Sequence, residues 1–184
     1  MVGRISLLIF LMGLLTGTLQ GQHQQEDAHI NHGVDDHPSW RIALLIGHTL
    51  IPEKHANQNF FIPSWGLDIE YWFTPGIGLG LHNDVEIETF IILRDNGEGD
   101  ELERITPLVF TFDLLIKPYK GLVLQIGPGY EIEKEEGFPL FRTGIEYEIE
   151  FGHHWDISPT VFYDSRFDGG YHTWSIALGV GKRF

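Results

Sequence analysis

The stretch Phe141-Arg142-Thr143-Gly144-Ile145-Glu146-Tyr147-Glu148-Ile149-Glu150-Phe151 alternates without a break. Phe141, Thr143, Ile145, Tyr147, Ile149 and Phe151 fall on one side of an extended chain, and Arg142, Gly144, Glu146, Glu148 and Glu150 on the other. A period of two over eleven residues is the signature of a strand with two unlike faces, because successive side chains of a strand point to opposite sides. The same pattern recurs at Trp65, Leu67, Ile69, Tyr71 and Phe73 against Ser64, Gly66, Asp68 and Glu70. It recurs again at Trp174, Ile176, Leu178 and Val180 against Ser175, Ala177, Gly179 and Gly181.

Working outward, eight such segments run from Trp40 to the C-terminus, at about 40–51, 62–73, 77–93, 105–117, 122–132, 140–151, 155–164 and 172–184. Their connections alternate in length. Residues 52–61, 94–104, 133–139 and 165–171 are polar loops. Between them lie the short turns Thr74-Pro75-Gly76, Pro118-Tyr119-Lys120-Gly121 and Gly152-His153-His154-Trp155. An up-and-down meander with two unlike ends follows, and an even strand number returns both termini to the short-turn end. Transmembrane barrels have this layout, with strands of about 9–11 residues.

Two barrels share that meander, a soluble carrier of lipocalin shape and a membrane barrel, and they differ in which face points inward. An eight-stranded barrel encloses a space just wide enough for side chains to fill. The apolar set contains too many Trp, Tyr, Phe and Leu to fit there, whereas the other set is Gly-rich and acidic. The aromatics are therefore expected outside, where they would form an aggregation-prone patch in water but a suitable surface in lipid. Trp40, Trp65, Phe73, Trp155, Trp174 and Phe184 sit near strand ends, where aromatic girdles belong.

The rest of the chain agrees with export to an envelope. Arg4 followed by the apolar run Ile5–Leu15 and then small or polar residues has the form of a cleaved signal peptide over 1–21. That run is short of the ~20 residues a spanning helix needs. Residues 22–39 are polar, acidic and His-rich without apolar period, an expected disordered arm. The barrel occupies 40–184. The 184 residues carry 12 Lys+Arg against 26 Asp+Glu, a net charge of −14, and contain no cysteine. Nucleic acid as a partner is excluded by that charge. Disulfides, thiolate metal sites and cysteine nucleophiles are excluded by composition.

The C-terminal run Trp174-Ser-Ile-Ala-Leu-Gly-Val-Gly-Lys-Arg-Phe184 resembles the closing strand of Gram-negative outer-membrane β-barrels, with a terminal Phe and apolar residues at alternate positions. Lys182 departs from the pattern. The resemblance to the small OmpA/OmpX-like barrel shape covers about 40–184. Arg41-Ile-Ala-Leu, Gly47-His48-Thr49, Pro63-Ser64-Trp65 and Gly80-Leu-His-Asn-Asp84 further resemble barrel proteins of Bacteroidota-type bacteria. It implies an all-β, eight-stranded antiparallel transmembrane barrel in the outer membrane, with the arm and both termini in the periplasm. Its implied partners are outer-membrane lipids and the barrel-insertion machinery, met through the strand ending in Phe184. It implies no catalytic residue.

By alternation the lumen receives Asp68, Glu70, Asp84, Glu86, Glu88, Asp113, Glu131, Glu146, Glu148, Glu150, Asp156 and Asp164, accompanied by Arg41, His82, Lys117, Arg142 and, at the end, Arg183. Carboxylates outnumber fixed cations about three to one. Either ion pairs plug the interior, or water, protons or a divalent cation such as Ca²⁺ or Mg²⁺ compensate the excess. In the arm, His23, His29, His32 and His37 with Glu26, Asp27, Asp35 and Asp36 are candidate metal ligands, set against a plain solvated linker. No other cofactor is expected. The best hydrolase candidate, Asp164-Ser165…Asp168…His172…Ser175, lacks an oxyanion donor, and Gly127-Pro128-Gly129 is a strand position where small residues relieve crowding rather than a phosphate loop. A non-enzymatic barrel with a structural or binding role leads. A narrow, porin-like cation-selective pore, a lipocalin-like carrier and a membrane-embedded hydrolase are its rivals.

Overall fold

The computed structural model describes residues 39–52, 59–93, 101–134, 136–167 and 171–184. The expected signal peptide and the arm with its four histidines lie outside these residues, save Ser39, the last residue of the arm, which opens the first strand. Eleven strands follow in chain order: β1 (Ser39–Pro52), β2 (Asn59–Thr74), β3 (Ile77–Glu86), β4 (Thr89–Leu93), β5 (Glu101–Ile105), β6 (Leu108–Tyr119), β7 (Leu122–Ile132), β8 (Phe138–Tyr147), β9 (Ile149–Phe151), β10 (Trp155–Arg166) and β11 (His172–Arg183). Every pairing is antiparallel, in the order β11-β1-β2-β3-β6-β7-β8-β10, and β10 pairs with β11 to close the ring. With β9 continuing β8 along β10, the ring has eight staves. This is the expected meander. Closure leaves no sheet edge, so each stave pairs on both sides.

β1 and β2 run longer than expected. They stay in register out to Pro52 and Asn59, which shortens the first long connection. The segment 77–93 divides at Ile87-Glu88 into β3 and β4, and β4 pairs with β5 in a separate two-stranded hairpin at the long-loop end. Residues 101–104, expected in a loop, thus belong to a strand. At the short-turn end the chain ends meet: the Phe184 amide donates to the Trp40 carbonyl at 2.8 Å. Gly121 takes φ 79° in its turn, a conformation that disfavours a side chain, and an added Cβ would lie 2.7 Å from the Glu148 carbonyl oxygen.

The sidedness expected from residue size holds. Leu44, Ile46, Trp65, Phe112, Ile145, Trp174, Ile176 and Leu178 are exposed on the outside, while Asp68, Glu70, Arg41, Asp113, Arg142 and Glu146 are buried within. The apolar belt is bordered by aromatic clusters. Trp40, Tyr71 and Phe73 touch near the short turns, and Tyr163 lies 4.8 Å from Trp174 toward the other end. Lys182, the departure in the closing strand, lays its ammonium over Trp155 and Phe184, at 5.3 and 5.0 Å from the ring centroids. A lipocalin-like carrier would bury the aromatic set, so this arrangement excludes it. A closed barrel with such a belt has lipid as its solvent: it is a transmembrane β-barrel.

Inside, the buried apolar residues among those described form three separate clusters. Trp72, Leu115 and Val123 cluster at the short-turn end, Ala43, Leu45 and Ala177 form a small wall patch, and Ile51, Ile62, Phe138 and Tyr171 cluster at the long-loop end. Between the two end clusters the lumen is polar.

Candidate functional site

The lumen is organised around arginines that reach across it. Arg41 on β1 donates from Nε and Nη2 to the two carboxylate oxygens of Asp156 at 2.9 and 2.6 Å, from Nη1 to Glu70, and from Nη2 to Glu146 at 2.7 Å. Trp72 Nε1 and Gln125 Nε2 donate to the remaining oxygens of Glu70 and Glu146. Both carboxylate oxygens of Glu70, Glu146 and Asp156 therefore accept a hydrogen bond, the kind of pairing under which buried ions are tolerated. Gly181 makes room for it, since a Cβ there would stand 2.7 Å from both Arg41 Nε and Asp156 Oδ1.

A second hub sits closer to the long-loop end. Arg142 on β8 grips Asp164 with Nε and Nη2, each at 2.7 Å, and reaches Asp84 on β3 at 2.5 Å. Its guanidinium lies 3.9 Å from the Phe162 ring centre. The third hub inverts the charge pattern: Glu131 on β7 accepts from Arg104, Arg166 and the Tyr171 hydroxyl. At the short-turn end Lys117 and Arg183 converge on Glu148, at 2.5 and 3.1 Å.

The acidic set falls largely where alternation put it. Asp68, Glu70, Asp84, Glu86, Asp113, Glu131, Glu146, Glu148, Asp156 and Asp164 are buried. Glu88 and Glu150 are corrections, because both are exposed. The break at Ile87-Glu88 carries Glu88 off the lumen wall. Glu150 keeps the inward parity opposite Asp156, but it lies on the short β9 at the rim, where solvent reaches it. The three-to-one acid excess is corrected as well. Arg104 and Arg166, placed in loops by sequence, are fully buried, and they bring the ratio among the described residues below two to one. Arg166 was within reach of the pattern, since it lies two residues beyond Asp164 on the same face. Arg104 was not: Thr106 takes φ 49° before Pro107, and this kink breaks the parity between β5 and β6.

The hydrolase candidates are dispersed. Ser165 and His172 share a rung on the outer face, while Asp164 is inside on Arg142 and Ser175 is inside within 3.0 Å of the Thr49 hydroxyl. Gly127 and Gly129 lie where crowding forbids a side chain: Cβ atoms there would approach backbone carbonyls at 2.1 and 2.6 Å. The arm histidines His23, His29, His32 and His37 lie outside the described residues.

Between the Arg41 and Arg142 hubs is a layer without an arginine. Asp68 and His82 face each other across β2 and β3, two register positions from Glu70 and Gly80 on the same face. His82 Nδ1 is 2.9 Å from Asp113 Oδ2, which also accepts from Thr111 Oγ1 at 2.5 Å. One donor atom from each of Asp68, Glu70 and His82 lies within 4.8 Å of the others. Asp68 Oδ1, His82 Nε2 and Asp113 Oδ1 are buried without a hydrogen-bond partner.

No family model and no curated protein sequence matches the chain. Solved structures do. Ail, the attachment invasion locus protein of Yersinia pestis, crystallised with the heparin analogue sucrose octasulfate, superposes with a TM-score of 0.58 at 12% identity over 80% of this chain and 99% of that one. The outer membrane protein OprG of Pseudomonas aeruginosa gives 0.56 at 12% identity over 81% and 97%. Neisserial surface protein A gives 0.53 at 7% identity over 79% and 97%. At such identities the likeness is one of fold. Closed ring, outward apolar belt and these superpositions agree: the chain has the fold of the small eight-stranded outer-membrane β-barrels of Gram-negative bacteria.

Proposed function

We propose that the protein is a non-enzymatic barrel of the outer membrane, a rigid stopper-filled scaffold with a structural or binding role rather than a pore. The observation that carries this reading is the set of bonds across the lumen. Arg41 on β1 reaches β8, Arg142 on β8 reaches β3, and Arg166 on β10 reaches β7, each joining staves that do not pair with one another. A conducting path would require these charge-assisted bonds to open together. The dispersal of Ser165, His172 and Asp164 to two faces supports the absence of hydrolytic chemistry.

Scaffolds of this kind bind through what projects from them. The β4–β5 hairpin at the long-loop end is tied to the lumen by Arg104, which also donates to the Glu136 carbonyl at 2.6 Å. On this reading the closing strand ending in Phe184 is the segment met by the insertion machinery and both termini are periplasmic; the pairing of Trp40 with Phe184, which brings the two ends to the same short-turn side, supports it. The test is planar-bilayer recording of the purified protein. No stepwise conductance is expected from the wild type, whereas an Arg41→Ala, Arg142→Ala double variant should leak cations. Regular cation-selective steps from the wild type would make the protein a narrow pore instead. Protease added to intact cells should cut only at the long-loop end, and cleavage of the arm would reverse the orientation.

A further inference from the structure

We propose that the arginine-free layer of the lumen is a binding site for one divalent transition-metal ion of borderline softness, such as Zn²⁺, held by His82 Nε2, Asp68 and Glu70; this rests on the barrel being closed, as above. Three independent features meet there. The first is charge: Asp68 and Asp113 receive no hydrogen bond from an arginine among the described residues, so two buried carboxylates face a single imidazole. A doubly charged ion matches that deficit, and uncompensated buried carboxylates are costly.

The second is the unpartnered atoms. Asp68 Oδ1 and His82 Nε2 are buried, unbonded, and belong to side chains whose donor atoms already converge. A buried imidazole nitrogen without a partner is uncommon in a folded protein and calls for a ligand. Gly80 keeps the approach to this nitrogen open, since a Cβ at that position would lie 2.4 Å from Nε2.

The third is orientation. The Asp113 carboxylate accepts a hydrogen bond from His82 Nδ1, and Thr111 Oγ1 donates to the same carboxylate oxygen. That bond occupies Nδ1 and leaves Nε2 as the nitrogen that would meet a metal, the arrangement that carboxylate–histidine–metal sites share. Asp113 is accordingly a positioning residue, not a ligand. An imidazole with two carboxylates favours a borderline ion over Ca²⁺ or Mg²⁺, which want six or more oxygens or retained water. A four-coordinate ion needs donors about 3.3 Å apart, given metal–ligand bonds near 2.0 Å. Asp68, which no hydrogen bond of Oδ1 restrains, supplies most of that closure, and water completes the shell.

The experiment is refolding of the full chain into detergent with Zn²⁺ present, dialysis against a weak chelator, and metal analysis. It is repeated with Co²⁺ to read the visible absorption of the bound ion. A fast-migrating unboiled band on electrophoresis certifies a closed barrel in each sample. Retention of about one ion per chain is expected for the wild type and for a variant with His23, His29, His32 and His37 all changed to Ala. Loss of the ion and of the Co²⁺ band is expected in His82→Gln and Asp68→Asn, and about a 10–100-fold weaker affinity in Asp113→Asn. A closed wild-type barrel that retains no ion overturns the proposal, as does an ion that survives in closed His82→Gln protein or is lost with the arm histidines alone. Should His82→Gln or Asp68→Asn not close, the Asp113→Asn affinity decides, and an unchanged value overturns it. Conductance by the wild type would instead undermine the closed-barrel reading, which this metal assay does not measure.

Discussion

Arg41 Nη2 and Glu146 Oε1 lie 2.7 Å apart although their residues are 105 positions apart in the chain and stand on staves that never pair. The bond spans the lumen. It joins the first stave of the meander to β8 directly, bypassing the sheet, and so it stiffens the barrel in a direction the backbone ladder does not control.

Removing Arg41 leaves Glu70, Glu146 and Asp156 facing one another without their shared cation. Breaking a buried ion network by deleting one partner costs about 3–5 kcal/mol. Arg41→Ala is therefore expected to lower unfolding stability in lipid vesicles by that amount, measured by urea titration of tryptophan fluorescence. A loss under ~1 kcal/mol would show that water already solvates these acids.

Gly181 tests the same hub from the wall. A methyl group there would press on Arg41 Nε and Asp156 Oδ1, so Gly181→Ala should destabilise by about 1–3 kcal/mol through overpacking. In the Arg41→Ala background most of that cost should vanish, because one crowded partner is gone and Asp156, no longer held by it, can move aside. A double-mutant cycle reads this as coupling, and strict additivity would place the strain in the backbone instead.

At the third hub the Tyr171 hydroxyl donates to both oxygens of Glu131, at 2.6 and 2.8 Å. Tyr171→Phe retains the ring that lies 4.3 Å from the Arg166 guanidinium and removes only the bond. Hydrogen bonds to charged groups contribute about 1.5–3 kcal/mol, and a loss of that size is expected with unchanged far-UV circular dichroism.

Lipid exposure can be tested on a single strand. Leu178 is 55% exposed at the centre of β11, on the same outward face as Lys182 near the rim. Leu178→Arg should cost about 2–4 kcal/mol in a bilayer, as a cation at the midplane does. Lys182→Leu, at the interface, should change stability by no more than ~1 kcal/mol in either direction. Equal effects at the two sites would mean the belt is not aligned with the hydrocarbon core.

The strands, their order and their sidedness were legible in the sequence because each rests on local or additive properties. Phe141–Phe151 needs only a period of two to be a strand. The outward turn of its aromatics needs only the volume of an eight-stranded interior. The alternation of short and long connections orders the staves without any knowledge of contacts. Even the buried acids followed, apart from Glu88, which the break between β3 and β4 carries off the lumen wall, and Glu150, whose parity was right but which lies at the rim.

What parity could not supply was who meets whom inside. Alternation says that Arg142 points inward. It does not say that Asp84, 58 residues earlier on β3, waits on the opposite wall. That pairing depends on the tilt and stagger of the closed ring, which set the height of every residue at once. The kink at Thr106 that delivers Arg104 to Glu131, and the arginine-free layer around His82, are products of the same closure. The chain's own alternation determined a barrel with an acidic interior and a lipid-facing belt; only the closed ring decided which charges compensate each other, because a charge in the lumen is solvated by the walls across from it and not by its neighbours in sequence.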